Sequence, residues 1–163
     1  MLKLTKKADY GLIALKHLAE VSQAEGKAAA SSAKDIADAY ALPQEALAKI
    51  LQKLVKASLL VSHHGTNGGY ALAREATRIS AYEVIRAIDG PMLFTSCTTH
   101  KGECQQSSKC NVKEPLAKVS ESIQQVLKRI SIADMMDPSG PKGPGEEPEL
   151  KPQGIAQHLV TLA

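Results

Sequence analysis

Residues 43–56 read PQEALAKILQKLVK, and this stretch decides how the chain around it can fold. Its apolar residues recur at spacings of three and four, which predicts an amphipathic helix with one buried face. Pro43 suits the first position of that helix, because an amide hydrogen there would have no partner within the helix and proline carries none. The opposite face is polar and basic and carries Gln44, Lys49, Lys53 and Lys56.

The sequence before this stretch predicts two further helices. Residues 6–22 show helical periodicity with an alanine-rich interior. Ser32 and Asp35 have the spacing of a capping box, which opens a short helix over residues 36–39. Only residues 41–42 then separate the short helix from the amphipathic one, so we expect a tight turn between them.

The sequence after it predicts a β-hairpin. Residues 59–62 indicate a strand, residues 63–69 (HHGTNGG) a turn-rich loop, and residues 70–73 a return strand. Two helices joined by a tight turn and followed by a hairpin are typical of a winged helix-turn-helix, whose second helix enters the major groove of DNA. The predicted DNA-binding residues are Pro43, Gln44, Lys49, Lys53, Lys56, His63, His64, Gly65, Thr66, Asn67, Gly68, Gly69 and Tyr70.

The order and spacing of these elements favour DNA binding over a merely solvated helix beside a surface hairpin, whereas each element alone would not. The amide of Gln44 can pair with adenine in a bidentate way, and the lysines of the same face can reach phosphates or guanine. Gly68 and Gly69 allow positive φ angles and close backbone approach, as a tight wing turn requires.

The remaining sequence predicts a second capping box, a cysteine-containing segment, a long helix and a tail. Ser80 and Glu83 open a helix that ends near Gly90, and a helix with a heptad-like apolar seam begins near Glu114. Five of the eight prolines lie in residues 137–152, so we expect a disordered tail there. The fold class is mainly α with a small β-hairpin. The expected units are the winged domain (1–90), the cysteine loop (91–112), the long helix (113–134) and the acidic tail (135–163).

Composition limits the classes of function. Aromatic residues make up 3% of the 163 residues, so the core must be aliphatic, and a protein that stacks single-stranded bases on rings is disfavoured. Residues 1–133 carry 18 basic and 12 acidic side chains, which indicates a polyanionic partner, whereas residues 134–163 carry two and five. We expect a cytoplasmic protein, because no apolar run approaches the roughly 18 residues of a membrane span and residues 1–7 do not read as a secretory signal.

All three cysteines, Cys97, Cys104 and Cys110, lie within one 14-residue window. Thiols stay reduced in the cytosol, so the grouping indicates ligation rather than a disulfide. Three thiolates suit an iron–sulfur cluster with one further ligand, or a zinc site, although the short C-x-x-C spacing of zinc knuckles is missing. Three unligated thiols remain the alternative.

Together these residues resemble the IscR/NsrR-type winged-helix transcriptional regulators, from residue 1 to about 135. The wing motif combined with three cysteines before a long helix is specific to that family, and neither feature alone would be. The matching stretches are residues 4–6 with Tyr10, residues 35–37, residues 47–60, Gly65 with residues 68–70, residues 84–90, the three cysteines, and residues 130–134.

The resemblance implies a homodimer on double-stranded DNA, with crossing C-terminal helices and a [2Fe–2S] or [4Fe–4S] cluster on the three cysteines. Some members take a fourth ligand from a histidine three residues after the last cysteine, where this chain has Lys113. Others use an acidic residue near the N-terminus of the partner subunit, which Asp9 matches, and His100 is the local alternative. His64 stands where the family often has arginine, and Ser58 where glycine is common.

The predicted function is a DNA-binding transcriptional regulator whose operator affinity is controlled by a cluster that senses iron or cluster status, oxygen or nitric oxide. One alternative is a zinc-stabilised or thiol-redox regulator of the same fold. Another is a protein-interaction adaptor without a specific DNA site. An enzyme is not expected, because the sequence has no glycine-rich phosphate loop, nucleophile elbow or paired-carboxylate pattern.

Overall fold

A computed structural model describes residues 4–26, 29–65, 68–92, 109–137 and 139. Within these ranges the chain is mainly helical with one two-stranded antiparallel hairpin, as the sequence predicts. The tail from residue 140 onward, most of the cysteine loop and the tip of the wing lie outside the described residues. The elements are α1 (Lys6–Glu25), α2 (Ala33–Tyr40), α3 (Gln44–Lys56), β1 (Leu60–His63), β2 (Gly69–Leu72), α4 (Ala81–Asp89) and α5 (Lys113–Arg129).

The core is built from aliphatic side chains, as the shortage of aromatic residues predicts. Helix α3 buries Leu47, Leu51 and Leu54 completely, and α1 meets them with Leu15 and Leu18. Each such side chain contributes about 1.5–3 kcal/mol by leaving water. The packing of one face of α3 against α1 therefore fixes which face remains in solvent.

Both predicted capping boxes are confirmed. The Ser32 hydroxyl accepts from the Asp35 amide at 3.1 Å, and the Asp35 carboxylate accepts from the Ser32 amide at 3.2 Å. Ser80 and Glu83 make the same reciprocal pair at the start of α4, at 3.3 and 3.0 Å. Arg74 also forms an ion pair with Glu83. These bonds satisfy amides that the first helical turn leaves without partners.

The hairpin is attached to the segment before α2. Its strands pair with His63 opposite Gly69 and Leu60 opposite Leu72. Ser31 and Tyr70 exchange two backbone hydrogen bonds, at 2.9 and 3.0 Å, on the far side of β2. The expectation of positive φ at the paired glycines is wrong, because within the described residues the positive φ of this loop falls at Gly65.

Close backbone approach explains the two adjacent glycines instead. A Cβ atom at Gly69 would lie 2.6 Å from the Ser31 carbonyl oxygen. One at Gly68 would lie 2.8 Å from the Gly65 carbonyl oxygen. Because these neighbours are backbone atoms that cannot rotate away, a side chain at Gly69 would push the wing off the segment before α2, and one at Gly68 would distort the wing loop itself.

The chain returns to the core after α5. The Ile132 side chain is fully buried, and its amide donates to the Ile79 carbonyl at 2.8 Å. The Ile130 carbonyl accepts from the Ala81 amide at 2.8 Å. A third Ser-x-x-acid pair follows α5: the Ser131 amide donates to the Asp134 carboxylate at 2.7 Å, and the Asp134 amide donates to the Ser131 hydroxyl at 3.2 Å. The winged domain thus includes residues that lie beyond the long helix.

Candidate DNA-binding face and cysteine segment

Helix α3 presents its polar face to solvent at the position of a recognition helix. The turn before it is closed by the Leu42 amide, which donates to the Ala37 carbonyl at 2.9 Å, and by Ala41 with φ of 51°. Since the apolar face of α3 is buried, Gln44, Lys49 and Lys56 are exposed together. This arrangement offers one amide and two ammonium groups to a nucleic acid.

The start of α3 differs from the starts of α2 and α4. Pro43 lies at the N-cap, one position before the predicted one, and makes no side-chain hydrogen bond to the helix. The first-turn amides of α3 therefore lack the carboxylate and hydroxyl acceptors that cap α2 and α4. Unsatisfied amides at the positive end of a helix dipole favour an approaching phosphate.

The wing lies beside this face along the chain and is anchored at its base. His63, His64 and Gly65 are exposed, and Gly68 and Gly69 are half-buried against backbone. Tyr70 is half-buried and packs against the core. The other two predicted wing residues, Thr66 and Asn67, lie outside the described residues.

Lys53 differs from Lys49 and Lys56 of α3, because its side chain makes a hydrogen bond to the end of α4. Its Nζ donates to the Ile88 carbonyl oxygen at 2.9 Å. This contact joins α3 to the last turn of α4, and periodicity could not reveal it, because the two residues are 35 positions apart. The Lys53 ammonium group is thus bonded within the protein, although the side chain stays exposed on the polar face of α3.

The end of α4 is also tied to α1 and α5. The Thr5 hydroxyl donates to the Asp89 carboxylate at 2.8 Å and accepts from the Ala8 amide at 3.2 Å. Gln124 of α5 lies 3.4 Å from the Met92 carbonyl oxygen and accepts from the Tyr82 hydroxyl at 3.3 Å. The sequence does not reveal these contacts, because they join distant residues, and the local signal is the position of Asp89 directly before Gly90 and Pro91.

The candidate metal ligands are only partly within the described residues. Cys110 is exposed, three residues before α5 begins, and Asp9 is exposed in the first turn of α1. Cys97, Cys104 and His100 lie outside the described ranges. Within those ranges no three His, Cys, Asp or Glu side chains come together as a metal site.

Comparison with known proteins decides the family. Residues 4–138 match the family model described as "Rrf2: Iron-dependent Transcriptional regulator". The chain belongs to the Rrf2 family. Rrf2 proteins are transcriptional regulators, which confirms the resemblance stated above and the expectation that this chain is not an enzyme.

Three solved structures resemble this Rrf2 chain along most of their length. T. potens IscR is 32% identical with a TM-score of 0.64, covering 83% of this chain and 86% of its own. The global cysteine regulator CymR (YrzC) of B. subtilis is 27% identical with a TM-score of 0.63, covering 83% and 97%. The oxidized form of Staphylococcus aureus CymR is 26% identical with a TM-score of 0.63, covering 83% and 97%.

These relatives identify the winged helix as the DNA-binding fold of an Rrf2-type regulator. They do not select one effector, since their descriptions name both an IscR protein and a cysteine regulator. No helix among the described residues of this Rrf2 protein is long and apolar enough to cross a bilayer.

Proposed function

We propose that this Rrf2 protein is a homodimeric repressor or activator whose affinity for operator DNA is controlled by an iron–sulfur cluster. The observation that carries the proposal is the exposed face of α3, with Gln44, Lys49 and Lys56 in solvent beside an anchored wing. The cluster part rests on the three-thiol set and on the family, which includes an iron–sulfur regulator.

DNA binding follows from the geometry of α3 and the wing. Gln44 reads base edges from the start of the helix, and Lys49 and Lys56 contact phosphates on either side. The uncapped first turn of α3 receives a further phosphate. The histidines of the wing, His63 and His64, lie along the adjacent backbone.

A second copy of the chain covers the apolar face of α5. None of its residues is fully buried, and Val119 is 49% exposed. The other apolar residues of this face recur at heptad-like spacing and are half-buried, namely Leu116, Ile123, Val126 and Leu127. Pairing of two such helices sets the distance between the two copies of α3 and hence the spacing of the DNA half-sites.

The donor set fits a cluster better than a mononuclear metal. Cys97, Cys104 and Cys110 supply three thiolates, and the exposed Asp9 of the partner subunit supplies an oxygen ligand, with His100 as the alternative. When bound, the group supplies a redox-active, oxygen- and nitric-oxide-sensitive centre. An exchangeable oxygen ligand suits a sensor, because it leaves one iron open to reaction.

Control of DNA affinity follows from where the cysteine segment lies. It joins the end of α4 to the start of α5, so its ligated form fixes the path between the DNA-binding and pairing elements. Release of the thiols frees that path and shifts the population of half-site spacings.

The DNA-binding part is tested with duplexes selected by the purified protein from a random library. We expect a selected duplex to bind far more tightly than a scrambled one, with log Kd rising steeply with log salt. A shallow slope and no sequence preference would instead support the adaptor without a specific DNA site.

The cluster part is tested by anaerobic purification with visible absorption, electron paramagnetic resonance, and iron and sulfide analysis. We expect a brown protein with stoichiometric sulfide, and a Cys104→Ala variant without colour and with altered DNA affinity. A colourless wild-type protein without iron contradicts this part alone.

A thiol-redox or zinc-stabilised regulator is the second candidate. Its supporting observations are the exposed Cys110 thiol and the likeness to the oxidized form of S. aureus CymR. Stoichiometric zinc without sulfide, or a DNA affinity that changes with oxidant in the metal-free protein, would favour it over the cluster.

A further inference from the structure

The Lys53 ammonium group binds a carbonyl oxygen at the end of α4 that has no partner within its own helix. The Ile88 carbonyl belongs to the last turn of α4, where carbonyl oxygens have no partner within the helix. Lys53 donates to it at 2.9 Å and places a positive charge at the negative end of the helix dipole. The bond therefore satisfies both a hydrogen-bond acceptor and a partial charge.

The same turn is held tightly by its other neighbours. Ile88 is 4% exposed, and a Cβ atom at Gly11 of α1 would overlap its Cδ1 atom. Ile50 of α3 also packs close to Gly11. Asp89 accepts from the Thr5 hydroxyl at 2.8 Å. Since α1, α3 and α4 meet at this point without space between them, a displacement of α4 is transmitted directly to α3.

We propose that Lys53 acts in DNA binding as a positioning residue, which holds α3 at the end of α4, and not as a phosphate contact. The inference rests on the proposed DNA-binding function. It adds a contact through which the chain after α4 affects the position of the recognition helix α3. Only Gly90 separates the end of α4 from the cysteine segment (91–112), so this junction is where ligation at the cysteines would act on α3.

The test compares Lys53→Met with Lys49→Met in the full-length dimer. Both substitutions remove one positive charge from the polar face of α3 and keep an unbranched apolar stem. Binding to a selected duplex is measured across a range of salt concentrations, well below the unfolding transition of each variant. Because each variant is folded under these conditions, a change in its stability alone does not alter the measured affinity for DNA.

We expect both variants to bind about tenfold more weakly, the size of one charge-assisted hydrogen bond. Lys49→Met should also lower the salt slope by about 0.9 per lost phosphate contact, whereas Lys53→Met should keep the wild-type slope. A slope that falls equally in both variants, or an unchanged affinity in Lys53→Met, overturns the proposal.

A second pair of variants separates positioning from electrostatics by the sign of the effect. Asp89→Ala and Glu45→Ala each remove one negative charge, which by itself strengthens binding to DNA. Glu45 lies in the first turn of α3, so Glu45→Ala should bind more tightly. Asp89→Ala loosens the end of α4 and should bind more weakly. Tighter binding by both variants contradicts a positioning role for this junction.

Amide hydrogen exchange tests the junction without DNA. We expect faster exchange in residues 86–92 of Lys53→Met and wild-type exchange there in Lys49→Met. Unchanged exchange in Lys53→Met overturns the proposal even if no duplex binds. Failure of the wild-type protein to bind any duplex, with faster exchange in Lys53→Met, refutes the proposed function and leaves the junction supported.

Discussion

Ser58 adopts a left-handed backbone conformation that favours glycine. Its φ is 57°, two residues after the end of α3 and two before the first wing strand. Glycine is common at this position in the family that the sequence resembles, and the φ angle supplies the physical reason. A non-glycine residue in this region costs about 1–2 kcal/mol.

We predict that Ser58→Gly stabilises the protein by about 0.5–1 kcal/mol, since relief of the strain exceeds the entropy that glycine loses on folding. The preceding residue gives a matched control, because Ala57 has an ordinary φ of −85°. Ala57→Gly should destabilise by a similar amount. Urea unfolding of both variants measures these opposite changes in the free energy of unfolding. Destabilisation by Ser58→Gly would contradict the interpretation that Ser58 is strained.

The capping-box carboxylates make stability depend on pH. Hydrogen bonds from the Ser32 hydroxyl and amide lower the pKa of Asp35. Partial burial acts to raise the pKa of Glu83, but hydrogen bonds from Ser80 and Arg74 outweigh it and lower that pKa too. Carboxylates with lowered pKa values stabilise the folded state at neutral pH and lose that contribution as the pH falls.

We therefore predict that the free energy of unfolding declines from about pH 5 downward, until the pH lies below the lowered pKa values. The double variant Asp35→Asn, Glu83→Gln should be less stable at pH 7 and show a flatter decline. Urea titrations at several pH values measure the difference. An equal pH dependence in wild type and variant would show that other groups cause the decline.

Among the elements, strand β2 of the wing makes close backbone contacts with the segment before α2. Gly69 faces the Ser31 carbonyl, and Tyr70 exchanges both backbone hydrogen bonds with Ser31. The wing is therefore held as the middle and edge strands of a three-stranded arrangement in which the third strand is one residue long.

We predict that Gly69→Ala destabilises the protein by about 1–3 kcal/mol, the usual effect of overpacking, and weakens DNA binding further by moving the wing. Ser62→Ala serves as the control, because Ser62 is exposed on the paired strand opposite Tyr70. Thermal unfolding and binding to a selected duplex provide the readouts. Wild-type behaviour of Gly69→Ala would show that the wing tolerates displacement.

The order of the elements follows from the sequence, because hydrophobic period and capping residues are local signals. The apolar spacing in residues 43–56 and the Ser-x-x-acid pairs predict helices that the structure confirms. The contacts of Lys53 with Ile88 and of Ser31 with Tyr70 are not local, so no periodicity reports them. The pair of Ser131 and Asp134 is a local contact, however. Its spacing is that of the two predicted capping boxes, so the sequence could have predicted it.

At the scale of the whole molecule, the apolar face of α5 is the surface proposed to pair with a second copy of the chain. Val119 exposes 49% of its surface in the single chain, and the neighbouring apolar residues of the seam are only half-buried. We predict that Val119→Glu shifts the protein toward monomer and weakens binding to a two-half-site duplex, because it places charges in the pairing face.

Gln125→Glu is the matched control for that variant. It adds the same charge to the same helix at an exposed position away from the apolar seam. Sedimentation equilibrium of both variants measures the monomer–dimer balance. A dimer of unchanged strength in Val119→Glu would place the contact between subunits on another surface.

The return of Ile132 to the core has a consequence for the protein during its synthesis. The Ile79 carbonyl and the Ala81 amide are paired with residues 130–132, which follow α5. A nascent chain that has released the recognition helix and the wing from the ribosome still lacks the last buried side chain of its DNA-binding domain. The core therefore closes only after α5 has been made, so the DNA-binding domain is complete only once the helix proposed to pair with a second copy has also left the ribosome.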